Sequence, residues 1–259
     1  MDSVTNKLDK KVAIIGGGIV GISTAIFLLR RGCEVTIFDK KILDKPASFG
    51  NAGWLSSTSI VPVLTPGILS KLPKMIFSKY GPLFLRFPGW ISMIPWLLKY
   101  LSFSSKEKVN YIAENLKPLT IDTVAMHKKL SLNTQASRWI KESSFFYIYK
   151  NKIDYEKDYS WTVRKNFGYQ WKEVQSEELQ NTYPDLDKDY KFGIRLDNMG
   201  YISNSMQYLS DLVDEVKKLG GSIIEEEVID IEEVENKIHV VTKNLKNYQF
   251  DRCAITCGV

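Results

Sequence analysis

The regular pattern of the chain begins with four apolar residues, Val12–Ile15, set between lysines and a run of glycines. A short apolar run bounded in this way predicts a buried parallel strand. From Ile19 the period changes: Ile19, Ile22, Ile26 and Leu29 recur at helical spacing, and Arg30-Arg31-Gly32 supplies a cationic last turn and a stop. Glu34–Phe38 then reads as a second strand. The stretch KVAIIGGGIVGISTAIFLLRRGCEVTIFDK, Lys11 to Lys40, therefore predicts a β-α-β unit with a right-handed crossover.

From Pro62 to Lys99 the chain is rich in proline and aromatics and shows no clear period, which predicts short helices and turns. Ser104-Ser105-Lys106-Glu107 has the form of a capping box with Ser104 as N-cap. Val109, Ile112, Leu116 and Leu119 follow at helical spacing, so a long helix is expected to run towards Lys129, perturbed at Pro118. Phe145–Tyr149 and Lys191–Leu196 read as strands. After Asn204 the pattern sharpens: Tyr208, Leu209, Leu212, Val213, Val216 and Leu219 form one helical face ended by Gly220-Gly221. Ser222–Glu226 predicts a short strand, Ile229–Val234 and Ile238–Thr242 a hairpin around Glu235-Asn236, and Phe250–Thr256 a last apolar strand. The whole reads as α/β: a sheet domain built from residues 1–61 and 196–259, with 62–195 inserted as a second region.

Gly16-x-Gly18-x-x-Gly21 lies between the first strand and the first helix, and Asp39 ends the second strand 18 residues past Gly21. A glycine triplet alone is equally a plain tight turn; the strand, helix and acidic residue around it point to a dinucleotide. Gly16 allows the turn, Gly18 keeps Cβ out of the way of a pyrophosphate, and Gly21 lets the helix lie close. The helix N-terminus offers free N–H groups and a partial positive charge to phosphate. Asp39 suits two ribose hydroxyls and disfavours a 2′-phosphate, so NADP is not expected; these residues do not separate NAD from FAD.

Composition narrows the classes. Of 259 residues, 44% are hydrophobic and 25% charged, and the net charge of +5 is scattered over the surface without a basic stripe, so no nucleic-acid partner is expected. Cys33, Cys253 and Cys257 make neither a disulfide framework nor a zinc site, which predicts reduced thiols and no metal. The polar N-terminus MDSVTNKLDKK lacks the apolar core of a signal peptide. Gly81–Phe103, with two tryptophans, three prolines, Arg86 and Lys99, is too interrupted to span a membrane. It suits burial in a core or between domains, or else a segment lying on a membrane surface.

Ala47–Ser56, ASFGNAGWLS, adds to the glycine motif. Together they resemble the FAD-dependent D-amino-acid oxidase superfamily, and within it the bacterial D-amino-acid dehydrogenase (small subunit) type, where Ser-Phe-x-Asn-Ala-Gly follows the second strand. The run from Val61 to Leu101 also resembles that branch, and the likeness is recognisable again from Asp197. The resemblance implies a Rossmann-like FAD-binding domain, glutathione-reductase-like in its βαβ unit, with an inserted α+β substrate or cap region. It implies that Ser48, Asn51, Ala52 and Gly53 face the flavin side of FAD. Val228, expected at the end of the third sheet strand, matches a position whose backbone meets adenine. Thr256-Cys257-Gly258 matches a small-residue turn closing over the cofactor. An ordinary turn or core role stays open at each.

The same resemblance implies oxidation of D-amino acids to 2-oxo acids and ammonia by hydride transfer to flavin, with oxygen or a quinone as electron acceptor. It implies a cytoplasmic location, with peripheral contact to the inner face of the cell membrane through 81–103. Family members are longer, and the chain is expected to be truncated at its C-terminus. The arginine and tyrosine that hold the substrate carboxylate in the family have no counterpart here, and neither His127 nor His239 is nominated as catalytic. Three other readings stay open: a flavin-binding remnant or half of a split enzyme without turnover of its own, a glycine or sarcosine type of amine oxidase, and an NAD-dependent dehydrogenase, in which SFGNAG has no role.

Overall fold

The computed structural model describes residues 8–44, 47, 49–68 and 91–258. Along the chain the strands are β1 (Lys11–Ile15), β2 (Glu34–Phe38), β3 (Trp54–Leu55), β4 (Ile140–Tyr149), β5 (Lys172–Gln175) and β6 (Phe192–Ile202). They continue with β7 (Ser222–Ile224), β8 (Val228–Val234), β9 (Lys237–Thr242), β10 (Asn247–Phe250) and β11 (Arg252–Ile255). The residues fall into two units: Met1–Leu55, Ala125–Lys141 and Gly200–Val259 in the first, Ser56–Val124 and Glu142–Met199 in the second.

In the first unit β11, β1, β2 and β7 lie side by side in that order, all parallel. Their apolar residues are buried because helices and a second sheet cover the two faces, the condition under which parallel strands read as continuous apolar runs. The Ile19–Leu29 helix buries Ile22, Ala25 and Ile26, and the Ser205–Lys218 helix buries Tyr208, Leu209, Leu212, Val213 and Val216. On the other side the antiparallel sheet β10-β9-β8 brings Val240 and Phe250 onto Ala13, Ile15 and Phe38. Phe38 meets Tyr248 and Phe250 edge-on, with centroids 5.2 and 5.8 Å apart. Each side chain of this size buried from water contributes about 1.5–3 kcal/mol. Ala125–Lys141 packs on the Ser205–Lys218 helix through His127, 2.8 Å from the Tyr208 hydroxyl, and Trp139, whose Nε1–H donates to Asp211 at 2.8 Å.

The hairpin turn falls on Glu235-Asn236 as expected, with φ of +51° and +61°. Two successive left-handed residues are the mark of a type I′ turn, whose twist matches that of the strands it joins. Several expectations need correction. Phe250–Thr256 is not one strand: Asn247–Phe250 pairs antiparallel with β9, and Arg252–Ile255 pairs parallel with β1. Ser222–Glu226 stops at Ile224, and Val228 opens β8 rather than ending the third parallel strand. Ser105, not Ser104, caps the Lys106–Thr120 helix, accepting the Lys108 N–H at 3.3 Å, while the Ser104 hydroxyl donates back to the Leu101 carbonyl. That helix carries Pro118 in its last turn and ends at Thr120; a separate helix, Thr123–Ser131, follows.

In the second unit β5 pairs antiparallel with β6, and β4 lies on the other side of β6. Phe145, Trp161, Phe192, Ile194, Leu196 and Met199 form one core, and Ile60, Val109, Ala113 and Val163 another. Arg164 is buried there under the rings of Trp161 and Tyr147, donating to the Thr58 carbonyl at 3.2 Å and the Ser160 hydroxyl at 2.9 Å. Gly81–Trp90 lies outside the described residues. The Ile94–Leu101 helix that follows buries none of its residues, contrary to a place in a core.

Candidate cofactor site

The four parallel strands deliver one residue each to a common edge. Gly16 follows β1, Asp39 follows β2, Glu225 follows β7 and Thr256 follows β11. Chain order reverses between β1 and β11, so the crevice expected of an open parallel sheet lies beyond the carboxyl ends of these two.

Gly16 has φ +106°, and a Cβ there would stand 2.8 Å from the backbone N and Cα of Cys257. Its N–H donates to the Phe38 carbonyl at 2.8 Å. Gly21 is equally constrained: a Cβ would run into the Gly16 carbonyl oxygen and come within 2.7 Å of Thr256 Oγ1. The Thr256 hydroxyl in turn points at the Ile15 and Gly16 carbonyls, 2.9 and 3.0 Å away, while its N–H donates to Ile15 at 2.7 Å. The turns after β1 and β11 are thus stitched together. Gly18 differs. It caps the Ile19–Leu29 helix in extended conformation, brings no side-chain acceptor, and has no neighbouring atom within 4 Å of where a Cβ would sit. The first N–H groups of a helix have no intrahelical acceptor, and here they open onto free space with the positive end of the helix dipole.

Asp39 closes the turn from the side. Its Oδ2 accepts the Gly17 N–H at 2.6 Å and its Oδ1 the Lys41 N–H at 2.9 Å, leaving further acceptor capacity on both oxygens. Beside it Lys40 pairs with Glu227 at 2.7 Å, a hydrogen bond that raises the lysine pKa and lowers that of the carboxyl. Glu225 accepts the Ile42 N–H at 3.1 Å.

Asn51 Oδ1 accepts the Gly53 N–H at 3.0 Å, an Asx turn over Ala52 that leaves Asn51 and Ala52 exposed. Gly53 has φ +66°, its carbonyl accepts the Ile202 N–H at 2.8 Å, and a Cβ would strike the Ile202 carbonyl. Gly258 is exposed, with φ +78° and open space around it. Ser48 lies outside the described residues. The structure therefore gathers Gly16, Gly18, Gly21, Asp39 and the Thr256–Gly258 turn at one edge, ties Asn51–Gly53 to the end of β6, and puts Val228 at the start of β8, packed against the cluster of Ala13, Ile15 and Phe38. Sequence reading missed the Gly17–Asp39 bond and the Thr256 stitch; a third consecutive glycine, and a threonine directly after an apolar run, are the signals that mark them. Among the described residues no three His, Cys, Asp or Glu side chains gather as metal ligands would.

The family model described as DAO, FAD dependent oxidoreductase, matches residues 11–259. The chain belongs to the DAO family. A D-amino-acid oxidase of Bradyrhizobium diazoefficiens is 30% identical over 252 residues, covering 96% of this chain and 60% of that protein. A D-amino acid dehydrogenase of Helicobacter pylori is 25% identical over 255 residues, covering 97% of this chain and 60% of that protein. The fold is that of the glycine oxidase of Geobacillus kaustophilus, at a TM-score of 0.61 and 17% identity, covering 96% of this chain and 55% of that one. The chain spans about 60% of the length of the curated relatives it matches.

FAD, the cofactor of the DAO family, carries a pyrophosphate and an adenosine ribose. The open space at Gly18, the uncapped helix N-terminus and the carboxylate at the end of β2 fit those two groups in charge and in room.

Proposed function

We propose that this chain is the FAD-holding part of an oxidoreductase that oxidises D-amino acids to 2-oxo acids and ammonia, passing the electrons on to oxygen or a quinone. The 30% identity to a D-amino-acid oxidase over 96% of the chain is the observation that carries the substrate class. The first unit acts as the FAD-binding domain. Residues within 62–195, inserted between its parts, supply the substrate or cap region.

Bound FAD supplies a two-electron acceptor at its flavin ring. The chain's own residues bind and orient it. The backbone from Gly16 through Gly21 cradles the pyrophosphate, with Gly18 giving the closest approach and the helix N–H groups donating. Asp39 accepts from the ribose hydroxyls with the lone pairs that Gly17 and Lys41 leave free. Ser48, Asn51, Ala52 and Gly53 hold the flavin side, where small residues admit a flat ring; the Asx turn from Asn51 to Gly53 supports this reading for Asn51. Gly258 closes over the cofactor, and Val228 offers backbone to the adenine. A substrate held over the flavin reacts chiefly through positioning, so no side chain here is assigned as acid or base.

The test is the visible spectrum of the purified chain before and after anaerobic addition of D-alanine, with glycine, sarcosine and L-alanine in parallel. Bound flavin that bleaches with D-alanine first supports the reading. Bleaching by glycine or sarcosine alone moves the assignment to an amine oxidase of that type, and flavin that stays oxidised with every substrate removes turnover from this chain.

A further inference from the structure

We infer that Glu227 is a specificity-determining residue of the adenosine site. By holding the Lys40 ammonium it denies a 2′-phosphate the cation beside Asp39, so the site takes a nucleotide with a free ribose and rejects its 2′-phosphorylated form. The inference rests on the placing of the adenosine ribose at Asp39 and not on the turnover of any amino acid.

The geometry lies wholly within the first unit. Lys40 directly follows Asp39, and Glu227 directly precedes Val228. The Asp39 N–H donates to the Ile224 carbonyl at 3.2 Å and the Ile42 N–H to Glu225 at 3.1 Å, which brings the stretches after β2 and β7 alongside each other. Lys40 Nζ then meets Glu227 Oε1 at 2.7 Å. Of the two partners the carboxylate is the fixed one. Its second oxygen takes Lys243 Nζ at 3.4 Å, and the Glu227 carbonyl accepts the Lys243 N–H at 2.8 Å. Its side chain is 33% exposed against 73% for Lys40. Neighbouring cations are engaged in the same way, Lys41 with Asp44 at 3.7 Å and Lys246 with Glu226 at 2.6 Å.

Charge decides what such a corner admits. A phosphate on the ribose 2′ oxygen brings about two negative charges to a place where Asp39 already presents one. Dinucleotide folds that accept this group do so through a nearby cation. Lys40 is such a cation by position, on a flexible four-carbon stem. The hydrogen bond to Glu227, to which the Asp39 charge adds, raises the Lys40 pKa, so the ammonium stays charged and engaged. Glu227 therefore acts twice, occupying the ammonium and adding a second negative charge near Asp39. A plain ribose feels neither effect, because its hydroxyls carry no charge. An exposed ion pair contributes little to folding, so the consequence of this one lies in the field at Asp39.

The experiment is calorimetric titration of the flavin-free 259-residue chain with ADP and with ADP carrying a 2′-phosphate. The parent is expected to bind ADP about tenfold or more the tighter. Glu227→Gln keeps the side chain's size and the backbone bond to Lys243. It is expected to cut that ratio about fivefold by tightening the 2′-phosphorylated ligand, with ADP unchanged within about twofold. Lys40→Gln/Glu227→Gln is expected to return the ratio to the parent's value or above. Lys40→Gln alone, at an exposed side chain, keeps the test open where Glu227→Gln does not fold. It is expected to leave the parent ratio within about twofold, because the ammonium is already engaged. A ratio about fivefold wider in that variant overturns the proposal, since Lys40 then serves the phosphate in the parent. An unchanged ratio in Glu227→Gln, a gain that survives the loss of Lys40, equal weakening of both ligands, or a parent that does not bind ADP also overturns it. FAD titration and D-alanine bleaching are read separately; ADP selectivity without FAD binding or without bleaching counts against the proposed function and leaves this inference standing.

Discussion

The carboxylate of Asp39 holds the N–H of Gly17 at 2.6 Å, joining the end of β2 to the turn that follows β1 before any cofactor enters. The residue thus has a structural duty independent of the ribose. Asp39→Asn keeps the shape and one acceptor but turns an amide towards either the Gly17 or the Lys41 N–H, leaving one donor without a partner. Such a loss costs about 1–2 kcal/mol at a part-buried site. The flavin-free variant is therefore expected to unfold at lower urea than the flavin-free parent. Equal midpoints would leave Asp39 with a ligand role only.

Gly18 and Gly21 separate the two duties of the glycine turn. Gly21→Ala drives a methyl into the Gly16 carbonyl and to within 2.7 Å of Thr256 Oγ1, so the expected loss of stability is about 2–3 kcal/mol, with or without flavin. Gly18→Ala meets no atom within 4 Å and is expected to change apoprotein stability by less than about 1 kcal/mol. Its cost falls on the cofactor, with FAD affinity lowered about tenfold or more, equivalent to about 1.4 kcal/mol. Urea titration of the apoprotein and quenching of flavin fluorescence measure the two quantities separately. A Gly18→Ala protein that binds FAD as tightly as the parent would mean that the pyrophosphate does not approach there.

What was legible in the sequence was local. Gly16 and Gly21 stand out because one missing methyl decides whether a turn can form, and the helical faces of Ile22–Ile26 and Tyr208–Val216 follow from a period of 3.6. Pairing between distant strands left a weaker trace. The apolar run Phe250–Thr256 conceals a change of sheet at Asp251, whose carboxylate accepts the Lys11 N–H at 2.8 Å; only the partner strands, more than 200 residues away in one case, reveal it. The adjacent serines before Lys106 offer two caps of equal chemistry, and the second one caps while the hydroxyl of the first donates to the Leu101 carbonyl. Between Lys152 and Thr182 the short helices and β5 are too polar and too brief to show a period, although Asn151 and Asp158 cap two of the helices in the ordinary way. Within the candidate site the glycines and Asp39 were legible. The Thr256 stitch and the displacement of Val228 to β8 were not, because both depend on where β7 and β11 stop.

His127 gives the first unit a pH dependence. Its Nδ1 shares a hydrogen bond of 2.8 Å with the Tyr208 hydroxyl, and burial lowers its pKa from the usual value near 6.5. A histidine whose pKa is depressed on folding stabilises the fold above its unfolded pKa, and that contribution is lost as pH falls below it. The urea midpoint is expected to fall between pH 7 and pH 5, in the range where an unfolded histidine, with a pKa of about 6.5, takes up its proton. His127→Gln, which cannot titrate, is expected to fall less over the same interval. Parallel curves for the two proteins would remove His127 as the source.

The β8–β9 turn is stabilised against its own residue choice. Glu235 sits at φ +51° and Asn236 at +61°. Asparagine tolerates the left-handed region because its short amide can bond locally, whereas the glutamate Cβ crowds the following carbonyl at a cost of about 1 kcal/mol. A type I′ turn is best served by asparagine first and glycine second. The double change Glu235→Asn/Asn236→Gly is therefore expected to raise stability by about 1 kcal/mol, read as a higher urea midpoint with an unchanged slope. Asn236→Pro tests the same geometry in the opposite sense. Proline holds φ near −65°, so it cannot occupy a position at +61° without rebuilding the turn, and a loss of about 2 kcal/mol or more is expected. Because Val240, in β9, packs on Phe38 and Ala13 of the parallel sheet, the loss should reach the whole first unit in one transition and not only the hairpin. Far-ultraviolet circular dichroism and tryptophan emission would then give coincident unfolding curves; a separate early transition would mean that the hairpin melts alone.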